Sequence, residues 1–286
     1  MAGPTSYPFL KGHGTENDFV VLLDPDGTVH GDLAPERVRA LCDRRAGIGA
    51  DGVLRVIRTI TYAPEQAGEA EWFMDYRNAD GSVSEMCGNG VRVFARFLLE
   101  AGLATSPVPI ATRAGLKTVT VDGTGPMAVF TADMGQPKVL GASQVTIEHH
   151  FWQATHVDMG NPHAVAFVDD LDPHGPVGPL VDPPVHDEDE YPDGVNVEFV
   201  VTRGERHVAM RVHERGSGET RSCGTGACAA MVAAAEAAAD TPAITGQDVT
   251  YRVDVPGGVL AVTWTTDDRV LLTGPAVLVA EGETQL

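Results

Sequence analysis

Basic residues are scarce in this chain, and their scarcity excludes a class of partner. The 286 residues include 20 Lys and Arg against 40 Asp and Glu, which gives a formal net charge of −20. Binding to a phosphate backbone requires a basic stripe, and the sequence has none, so we expect no nucleic-acid partner. The acidic excess is typical of a solvated surface and does not by itself indicate a cationic substrate.

Long apolar runs and a signal sequence are also missing. The Ala-rich stretch that follows Cys228 is too short to cross a membrane and ends at Asp240. The N-terminal residues lack the charged start and the apolar core of a signal peptide. We therefore expect a cytoplasmic protein with no membrane partner.

Cysteine is limited to four residues, Cys42, Cys87, Cys223 and Cys228. In the cytosol these thiols are expected to be reduced, so a disulfide framework is not predicted. No pair of them has the spacing of a zinc site, and we expect no metal.

The chain consists mainly of strand-like segments. Runs rich in β-branched residues and bounded by Gly, Pro and Asp recur along its whole length. Three segments are predicted as helices, namely Ala34–Arg44, Gly88–Glu100 and Gly224–Ala239, while Asp172–Gly194 is predicted as a loop. A hydrophobic content of 43% is enough for a full core. The sequence therefore predicts an α/β (α+β) fold.

The organisation is that of a duplication. Each half contains strands, then a Cys-Gly-x-Gly turn, then a helix, then more strands, and the two turns begin at Cys87 and Cys223. This pattern predicts two domains, residues 1–140 and residues 141–286, each with its cysteine at the start of a central helix.

A cysteine at the start of a helix is a candidate for proton transfer. Unpaired backbone N–H groups and the helix dipole favour the thiolate, which predicts a lowered thiol pKa, and the same N–H groups can bind a carboxylate. Inverting a stereocentre requires a base on one face and an acid on the other. Because the motif occurs twice, we expect Cys87 and Cys223 to be this acid–base pair, whereas Cys42 and Cys228 lie inside predicted helices and are expected to pack in the core.

Polar residues accompany both turns. Asn78 precedes Cys87 by nine residues, and Glu214 precedes Cys223 by the same number. The adjacent Glu214 and Arg215 suit an ammonium and a carboxylate respectively, since arginine offers a bidentate fork.

The chain resembles the diaminopimelate epimerase family in a series of motifs that cover it from start to finish. These are KGHGTENDF (Lys11–Phe19), NADGSVSEMCGNGVR (Asn78–Arg92), MGNPHAV (Met159–Val165), GVNVEF (Gly194–Phe199) and ERGSGETRSCGTGA (Glu214–Ala227). The resemblance implies two pseudo-symmetric halves, each a curved, mostly antiparallel sheet wrapped around a central helix, with the active site in the cleft between them. It also implies a homodimer that epimerises LL-diaminopimelate to meso-diaminopimelate without a cofactor, in the synthesis of lysine and peptidoglycan precursors.

The resemblance also assigns roles to individual residues. It implies that Cys87 and Cys223 are catalytic and that Gly88, Asn89, Gly224 and Thr225 bind the reacting α-carboxylate. The substrate, chiefly its distal end, would be held by Asn17, Asn78, Asn161, Asn196, Glu214 and Arg215, and His163 matches a histidine near the catalytic cleft. Two positions depart from the family pattern: Gly14-Thr15-Glu16 stands where many relatives have Gly-Leu-Gly, and Gly52 stands where many have glutamine.

Several alternatives remain open. A proline or hydroxyproline racemase or epimerase shares the two-thiol chemistry but needs no distal clamp such as Glu214-Arg215. A cysteine hydrolase or acyltransferase leaves the second thiol motif unexplained, and a binding protein for a small zwitterion needs no thiols. A pyridoxal enzyme is disfavoured because Lys11, Lys117 and Lys138 all lie outside the cysteine and ERGSGET motifs.

Overall fold

The computed structural model describes residues 6–286, which form two compact units. One unit comprises residues 6–132 together with Pro275–Leu286, and the other comprises Asp133–Gly274. Within residues 6–286, no helix is long and apolar enough to span a membrane.

The C-terminal residues belong to the compact unit of the N-terminal residues. Tyr7 pairs with Thr284, so the first and last strands of the chain lie side by side. The sequence-based division at residue 140 instead assigns the last residues to the C-terminal half, because pairing between distant segments is invisible in the sequence. That division stays a prediction.

The first unit is an eight-stranded sheet with a helix buried against it. Its elements are β1 (Tyr7–Gly14), β2 (Asn17–Leu23), α1 (Pro35–Cys42), β3 (Gly52–Arg58), α2 (Thr59–Tyr62), β4 (Trp72–Asn78), α3 (Gly88–Glu100), β5 (Val108–Thr112), β6 (Gly115–Asp122), β7 (Val129–Gly135) and β18 (Val277–Thr284). The strand order is β18-β1-β2-β3-β4-β5-β6-β7, in which β2–β3 and β4–β5 are parallel and the other neighbours are antiparallel.

Helix α3 is the central element of the first unit. Every residue from Gly88 to Leu98 is buried, and the helix contacts β1 to β6 as well as β18. A helix that is buried on all sides must be enclosed by other elements, which here are the strands of one curved sheet. It ends before Gly102, whose φ of 67° lies in the left-handed region that a chain commonly adopts just after a helix.

The second unit repeats this architecture. Its elements are β8 (Lys138–Ile147), β9 (His150–Asp158), β10 (Pro162–Phe167), β11 (Val185–His186), β12 (Asn196–Gly204), β13 (His207–Glu214), β14 (Gly218–Thr220), α4 (Gly224–Ala237), α5 (Pro242–Thr245), β15 (Val249–Val255), β16 (Gly258–Trp264) and β17 (Val270–Pro275). The main strands follow the order β8-β9-β10-β12-β13-β15-β16-β17, with β10–β12 and β13–β15 parallel and the other neighbours antiparallel.

The predicted pair of pseudo-symmetric halves is thereby confirmed, because order and orientation match strand by strand. The registers match as well: Val53 pairs with Arg77, ten residues before Cys87, and Val197 pairs with His213, ten residues before Cys223. We call positions that correspond in this way equivalent.

Candidate active site

Cys87 and Cys223 are the N-cap residues of the two central helices. The Cys87 Sγ accepts a hydrogen bond from the Gly90 backbone N–H at 3.4 Å, and the Cys223 Sγ accepts one from the Gly226 N–H at 3.3 Å. Each sulfur thus occupies the position that a serine or aspartate oxygen usually takes at a helix start. The helix dipole and the first backbone N–H groups therefore point at both thiols.

The second glycine of each turn packs closely against a side chain of a neighbouring strand. A Cβ at position 90 would lie 3.2 Å from Leu54 Cδ2, and a Cβ at position 226 would lie 2.6 Å from Glu198 Oε1. Leu54 and Glu198 are equivalent positions, since they directly follow Val53 and Val197 in the matching registers. In both halves the cysteine turn therefore packs against the same strand position, which is leucine in one half and glutamate in the other.

Asn17 contacts the thiol of the N-terminal half. Its Oδ1 accepts from the Cys87 Sγ at 3.5 Å and from the Asn89 side-chain amide at 3.2 Å. Its own Nδ2 donates to Asp51 Oδ2 at 2.8 Å. The Asp51 carboxylate can only accept in this bond, so it fixes the Asn17 amide with the oxygen towards the sulfur. No motif in the sequence marks Asp51 for this role.

Arg92 anchors the turn that follows Cys87. Its guanidinium donates to Asn89 Oδ1 at 2.8 Å and to the Gly88 carbonyl at 3.1 Å, and its side chain is fully buried. The Thr15 hydroxyl also bonds to Asn89 Oδ1, at 3.3 Å. An arginine in the first turns of an enclosed helix, directly after the cysteine turn, is the sequence signal that marks this residue.

Asn78 lies at the end of β4, opposite Gly52 in register. Its side-chain amide donates to Ser82 Oγ at 2.9 Å. A Cβ at Gly52 would lie 2.5 Å from the Arg77 carbonyl oxygen and 2.7 Å from the Tyr76 ring. Position 52 is glycine where many relatives have glutamine. Here β4 packs so closely that it fills the space a longer side chain would need.

Asp18 follows Asn17 and forms an ion-pair cluster beside it. Its carboxylate bonds to Arg44 at 2.7 Å and to the Lys11 ammonium at 2.7 Å. Burial alone would raise the pKa of Asp18, but the hydrogen bonds from Arg44 and Lys11 outweigh it and lower that pKa to about 2. Arg44 also bonds to Asp51 at 2.7 Å, so the cluster supports the residue that orients Asn17.

Thr225 and Asn161 adjoin the thiol of the C-terminal half. The Thr225 hydroxyl lies 3.5 Å from the Cys223 Sγ and accepts from Asn161 Nδ2 at 3.4 Å. Asn161 Oδ1 in turn lies 3.1 Å from His163 Nε2. Asn161 is equivalent to Asn17, but here a hydroxyl lies between the amide and the sulfur.

His163 and Glu198 form a buried pair beneath this site. His163 Nδ1 lies 2.7 Å from Glu198 Oε1, and both side chains are fully buried. The second oxygen, Glu198 Oε2, has no hydrogen-bond partner among residues 6–286. The signal for Glu198 in the sequence is an acidic residue inside the apolar run NVEFVV, and it was not among the predicted site residues.

Three further predicted residues lie together at the ends of β12 and β13. Asn196 Oδ1 accepts from the Arg215 backbone N–H at 3.0 Å, while Asn196 Nδ2 donates to the Pro162 carbonyl at 3.1 Å. The Arg215 guanidinium is exposed and donates to the Asp193 carbonyl at 3.0 Å. Glu214 accepts a hydrogen bond from the Thr220 hydroxyl.

The electrostatics of Cys223 differ from the prediction for a helix-start thiol. Burial, followed by the nearby carboxylates of Glu214 and Glu198, raises the pKa of Cys223 well above its usual value and outweighs the hydrogen bonds from Thr225 and Gly226. The predicted lowering is therefore wrong for this residue, and its surroundings favour the neutral thiol over the thiolate. Burial likewise raises the pKa of Cys42 to about 12, which agrees with a packing role.

Metal ligands are not gathered anywhere in the described part of the chain. Among residues 6–286, no group of three or more His, Cys, Asp or Glu side chains could hold a metal ion.

Sequence comparisons identify relatives over the whole chain. The family described as Diaminopimelate epimerase matches residues 9–140 and 155–279. A protein of Streptomyces coelicolor named Diaminopimelate epimerase is 58% identical over 284 residues, covering 98% of this chain and 96% of the relative. A protein of the same name from Thermobifida fusca is 48% identical over 285 residues, covering 97% of this chain and 98% of the relative.

Solved structures share the fold at low sequence identity. A phenazine biosynthesis protein of the PhzF family from Bacillus anthracis has a TM-score of 0.68 at 17% identity, covering 98% of this chain and 99% of its own. A hydroxyproline epimerase from Agrobacterium vitis has a TM-score of 0.66 at 15% identity, covering 99% and 94%. These likenesses establish the fold alone.

Proposed function

The chain belongs to the diaminopimelate epimerase family, and we propose that it interconverts LL- and meso-diaminopimelate by proton transfer to and from the thiols of Cys87 and Cys223. The observation that carries this proposal is the repeated turn, in which each sulfur caps the start of a buried central helix at an equivalent position of the two halves. A single nucleophilic cysteine would not account for the second, matching turn.

The mechanism is a two-base epimerisation. One cysteine, as thiolate, removes the α-proton and breaks the C–H bond, and the other, as thiol, donates its own proton to the opposite face of the same carbon. After the reaction the first cysteine is a thiol and the second is a thiolate. The reverse reaction exchanges these two roles. The raised pKa of Cys223 supports its starting as the neutral thiol, that is, as the proton donor.

The backbone N–H groups at the two helix starts suit the reacting α-carboxylate. Negative charge builds up on this carboxylate as the carbanion forms, and N–H groups aligned with a helix dipole stabilise it without reorganisation. By resemblance, Gly88, Asn89, Gly224 and Thr225 provide these donors. No cofactor is needed for this chemistry, because the fixed donors supply the electrostatic stabilisation.

The distal amino-acid end of the substrate requires a separate clamp. By resemblance this clamp uses Asn17, Asn78, Asn161, Asn196, Glu214 and Arg215. The exposed guanidinium of Arg215 and the half-buried Glu214 carboxylate support it, since they offer opposite charges to a zwitterion. His163 is expected to act near the site rather than on the substrate.

The wider setting follows from the family. We expect a cytoplasmic homodimer that contributes to lysine and peptidoglycan precursor synthesis and that has no nucleic-acid or membrane partner.

Incubation of the protein with LL-diaminopimelate in D₂O, without added cofactor, tests the proposal. The expected result is meso-diaminopimelate with solvent deuterium at one α-carbon. Isomerisation without deuterium uptake, or no isomerisation, would exclude the mechanism. The matched control is trans-4-hydroxyproline, and its epimerisation in place of diaminopimelate would favour the rival substrate class.

A further inference from the structure

Arg211 of β13 is a buried charged residue that takes no part in the proton transfer. Its side chain is only 8% exposed. The guanidinium makes two hydrogen bonds to Glu219, from Nε to Oε1 at 2.6 Å and from Nη2 to Oε2 at 2.9 Å. Because the guanidinium fork and the carboxylate are both planar, such a bidentate contact fixes direction as well as distance. Glu219 is therefore held in one orientation relative to β13.

The same guanidinium also bonds to the long segment between β10 and β12. Its Nη1 donates to the Leu171 carbonyl at 3.2 Å and to the Gly178 carbonyl at 2.9 Å. We call residues 171–194 the β10–β12 segment. Over these residues, all of which the structure describes, the only regular element is the two-residue strand β11. Side-chain contacts therefore have to hold the segment in place, and Arg211 provides two of them.

Glu219 lies in the hairpin that β13 forms with β14. Strand β14 has three residues, among which Glu219 pairs with His213. Arg215 lies in the turn of this hairpin, next to Gly216, whose φ of 79° is in the left-handed region. Glycine permits such a turn but does not make it rigid. A strand of three residues gives the turn little support, so the bond from Arg211 to Glu219 anchors its far side.

The hairpin and the β10–β12 segment meet at Arg215. The hairpin carries the backbone of Arg215, and the end of the segment contacts its side chain. The Arg215 guanidinium donates to the Asp193 carbonyl at 3.0 Å, and a Cβ at Gly194 would lie 3.2 Å from Arg215 Cδ. Arg211 thus joins the part of the chain that carries Arg215 to the part against which its side chain packs.

The N-terminal half has a charged residue at the equivalent position. Asp75 is fully buried and lies twelve residues before the cysteine of its half, as Arg211 does in the other half. The Asp75 carboxylate forms an ion pair with Arg113, whose guanidinium donates to the Ser84 carbonyl at 3.2 Å. Ser84 lies between β4 and the cysteine turn. In both halves an ion pair at this strand position therefore holds the residues that lead to the cysteine, although the charges are reversed.

We propose that Arg211 is a positioning residue for Arg215, which it places by holding the hairpin through Glu219 and the β10–β12 segment through two carbonyls. This inference rests on the proposed function, in which Arg215 binds the distal carboxylate of diaminopimelate. Bidentate binding of a carboxylate requires the guanidinium at a defined place and angle. A hairpin without its anchor should therefore lose substrate affinity, while the reacting carbon keeps its own binding groups. The expected signature is a raised KM with kcat retained.

Glu219→Gln tests the proposal by steady-state kinetics with LL-diaminopimelate. The substitution keeps the size of the side chain but removes the charge that Arg211 binds. KM should rise by about 10-fold, while kcat should change by less than about 3-fold. Arg211→Lys, which keeps the positive charge but not the fork, should raise KM at least as much. An unchanged KM in either variant, or a loss confined to kcat, would overturn the inference.

A second bidentate arginine–carboxylate pair in the same unit provides the matched control. Arg206 bonds to Asp240 through Nε and Nη2, both at 2.7 Å. Arg206 directly precedes β13 and so lies at the opposite end of that strand from Arg215. Asp240→Asn should therefore leave KM unchanged. If it raises KM as much as Glu219→Gln does, general loosening of the unit explains both results and the inference is wrong.

A double-mutant cycle tests whether Glu219 acts through Arg215. In the Arg215→Ala background the guanidinium to be positioned is absent, so Glu219→Gln should lower kcat/KM by less than about 2-fold. In the natural background it should lower kcat/KM by about 10-fold. Equal losses in the two backgrounds would contradict the inference. The ratio kcat/KM is compared because it remains measurable when the substrate does not saturate the variant.

Circular dichroism and urea unfolding verify that each variant is folded before the kinetics are compared. Should Arg211→Lys fail to fold, Glu219→Gln carries the test, since the Glu219 side chain is partly exposed. An active epimerase whose KM does not respond to Glu219→Gln would contradict only this inference. Absence of any epimerisation by the natural protein would instead contradict the proposed function, so the two failures are distinguishable.

Discussion

In the N-terminal half the cysteine turn packs against Leu54, whereas in the C-terminal half the equivalent turn packs against Glu198, which bonds to His163 where the N-terminal half has Phe19. The strands, the registers and the helix starts are otherwise the same. Duplication thus preserved the backbone that presents a thiol and left the side chains beneath it free to diverge.

The neighbours of the two sulfurs have diverged accordingly. Asp51 fixes the Asn17 amide with its oxygen towards Cys87, and an acceptor favours the protonated thiol. Thr225 adjoins Cys223 with a hydroxyl that can donate, which favours the thiolate. Two turns with the same backbone arrangement can in this way give their thiols different hydrogen-bond partners.

Removing either sulfur gives the largest expected effect and tests what the halves have in common. Cys87→Ala and Cys223→Ala should each lower epimerisation by about 10²–10⁴-fold, the usual worth of a general acid or base. Turnover is measured by proton exchange and product formation, with Cys42→Ala as the control for a buried thiol. Near-normal turnover in either active-site variant would contradict the two-base mechanism.

Local patterns predicted the two central helices well, but not the short helices α2 and α5. Helix α3 has the predicted bounds, Gly88–Glu100, because a Gly-rich turn, an apolar run and Gly102 mark its ends in sequence. Helix α4 begins at the predicted Gly224 and ends two residues before the predicted Ala239, whose φ of 51° is not helical.

Long-range pairing could not be predicted in the same way. Strand β1 contains proline and two glycines, and β18 contains a glycine and two glutamates, so neither has a strong strand pattern in the sequence. They are strands because they pair with each other. The partnership of His163 with Glu198 was hidden for the same reason, since it depends on the parallel register of β10 and β12.

Breaking the buried pair should affect stability more than exchanging it. Glu198→Leu alone leaves His163 buried without its partner and should lower the free energy of unfolding by about 3 kcal/mol. His163→Phe/Glu198→Leu should recover most of this loss, because the N-terminal half already packs this apolar pair. Urea unfolding of the three proteins measures both quantities.

The reverse exchange in the other half provides the matched control. Leu54→Glu buries a carboxylate without a partner beneath Cys87 and should destabilise the protein by a similar amount. If Glu198→Leu does not lower the free energy of unfolding, or if His163→Phe/Glu198→Leu does not restore it, then positions 54 and 198 are not energetically equivalent.

Asp51 offers a smaller effect that is confined to the N-terminal half. Asp51→Asn keeps the size of the side chain but replaces a group that can only accept with an amide that can also donate. The Asn17 amide can then turn its nitrogen towards Cys87. We expect kcat to fall by about 10-fold, the worth of one hydrogen bond to a reacting group, with little change in the midpoint of unfolding. An unchanged kcat would show that the orientation of Asn17 does not matter for turnover.

The smallest expected effect concerns acid stability, where the halves differ because the equivalent of Asp18 is Pro162. Ion pairing holds the pKa of Asp18 at about 2, below its ordinary 3.8, so its contribution is present above pH 4 and is lost as the pH falls towards 2. Asp18→Asn should therefore lower the free energy of unfolding by about 1 kcal/mol at pH 7, after allowance for partial solvent screening. In urea unfolding at pH 7 and pH 3 this difference should shrink at the lower pH, and a difference that stays constant would mean that packing, rather than the charge of Asp18, stabilises this corner of the N-terminal half.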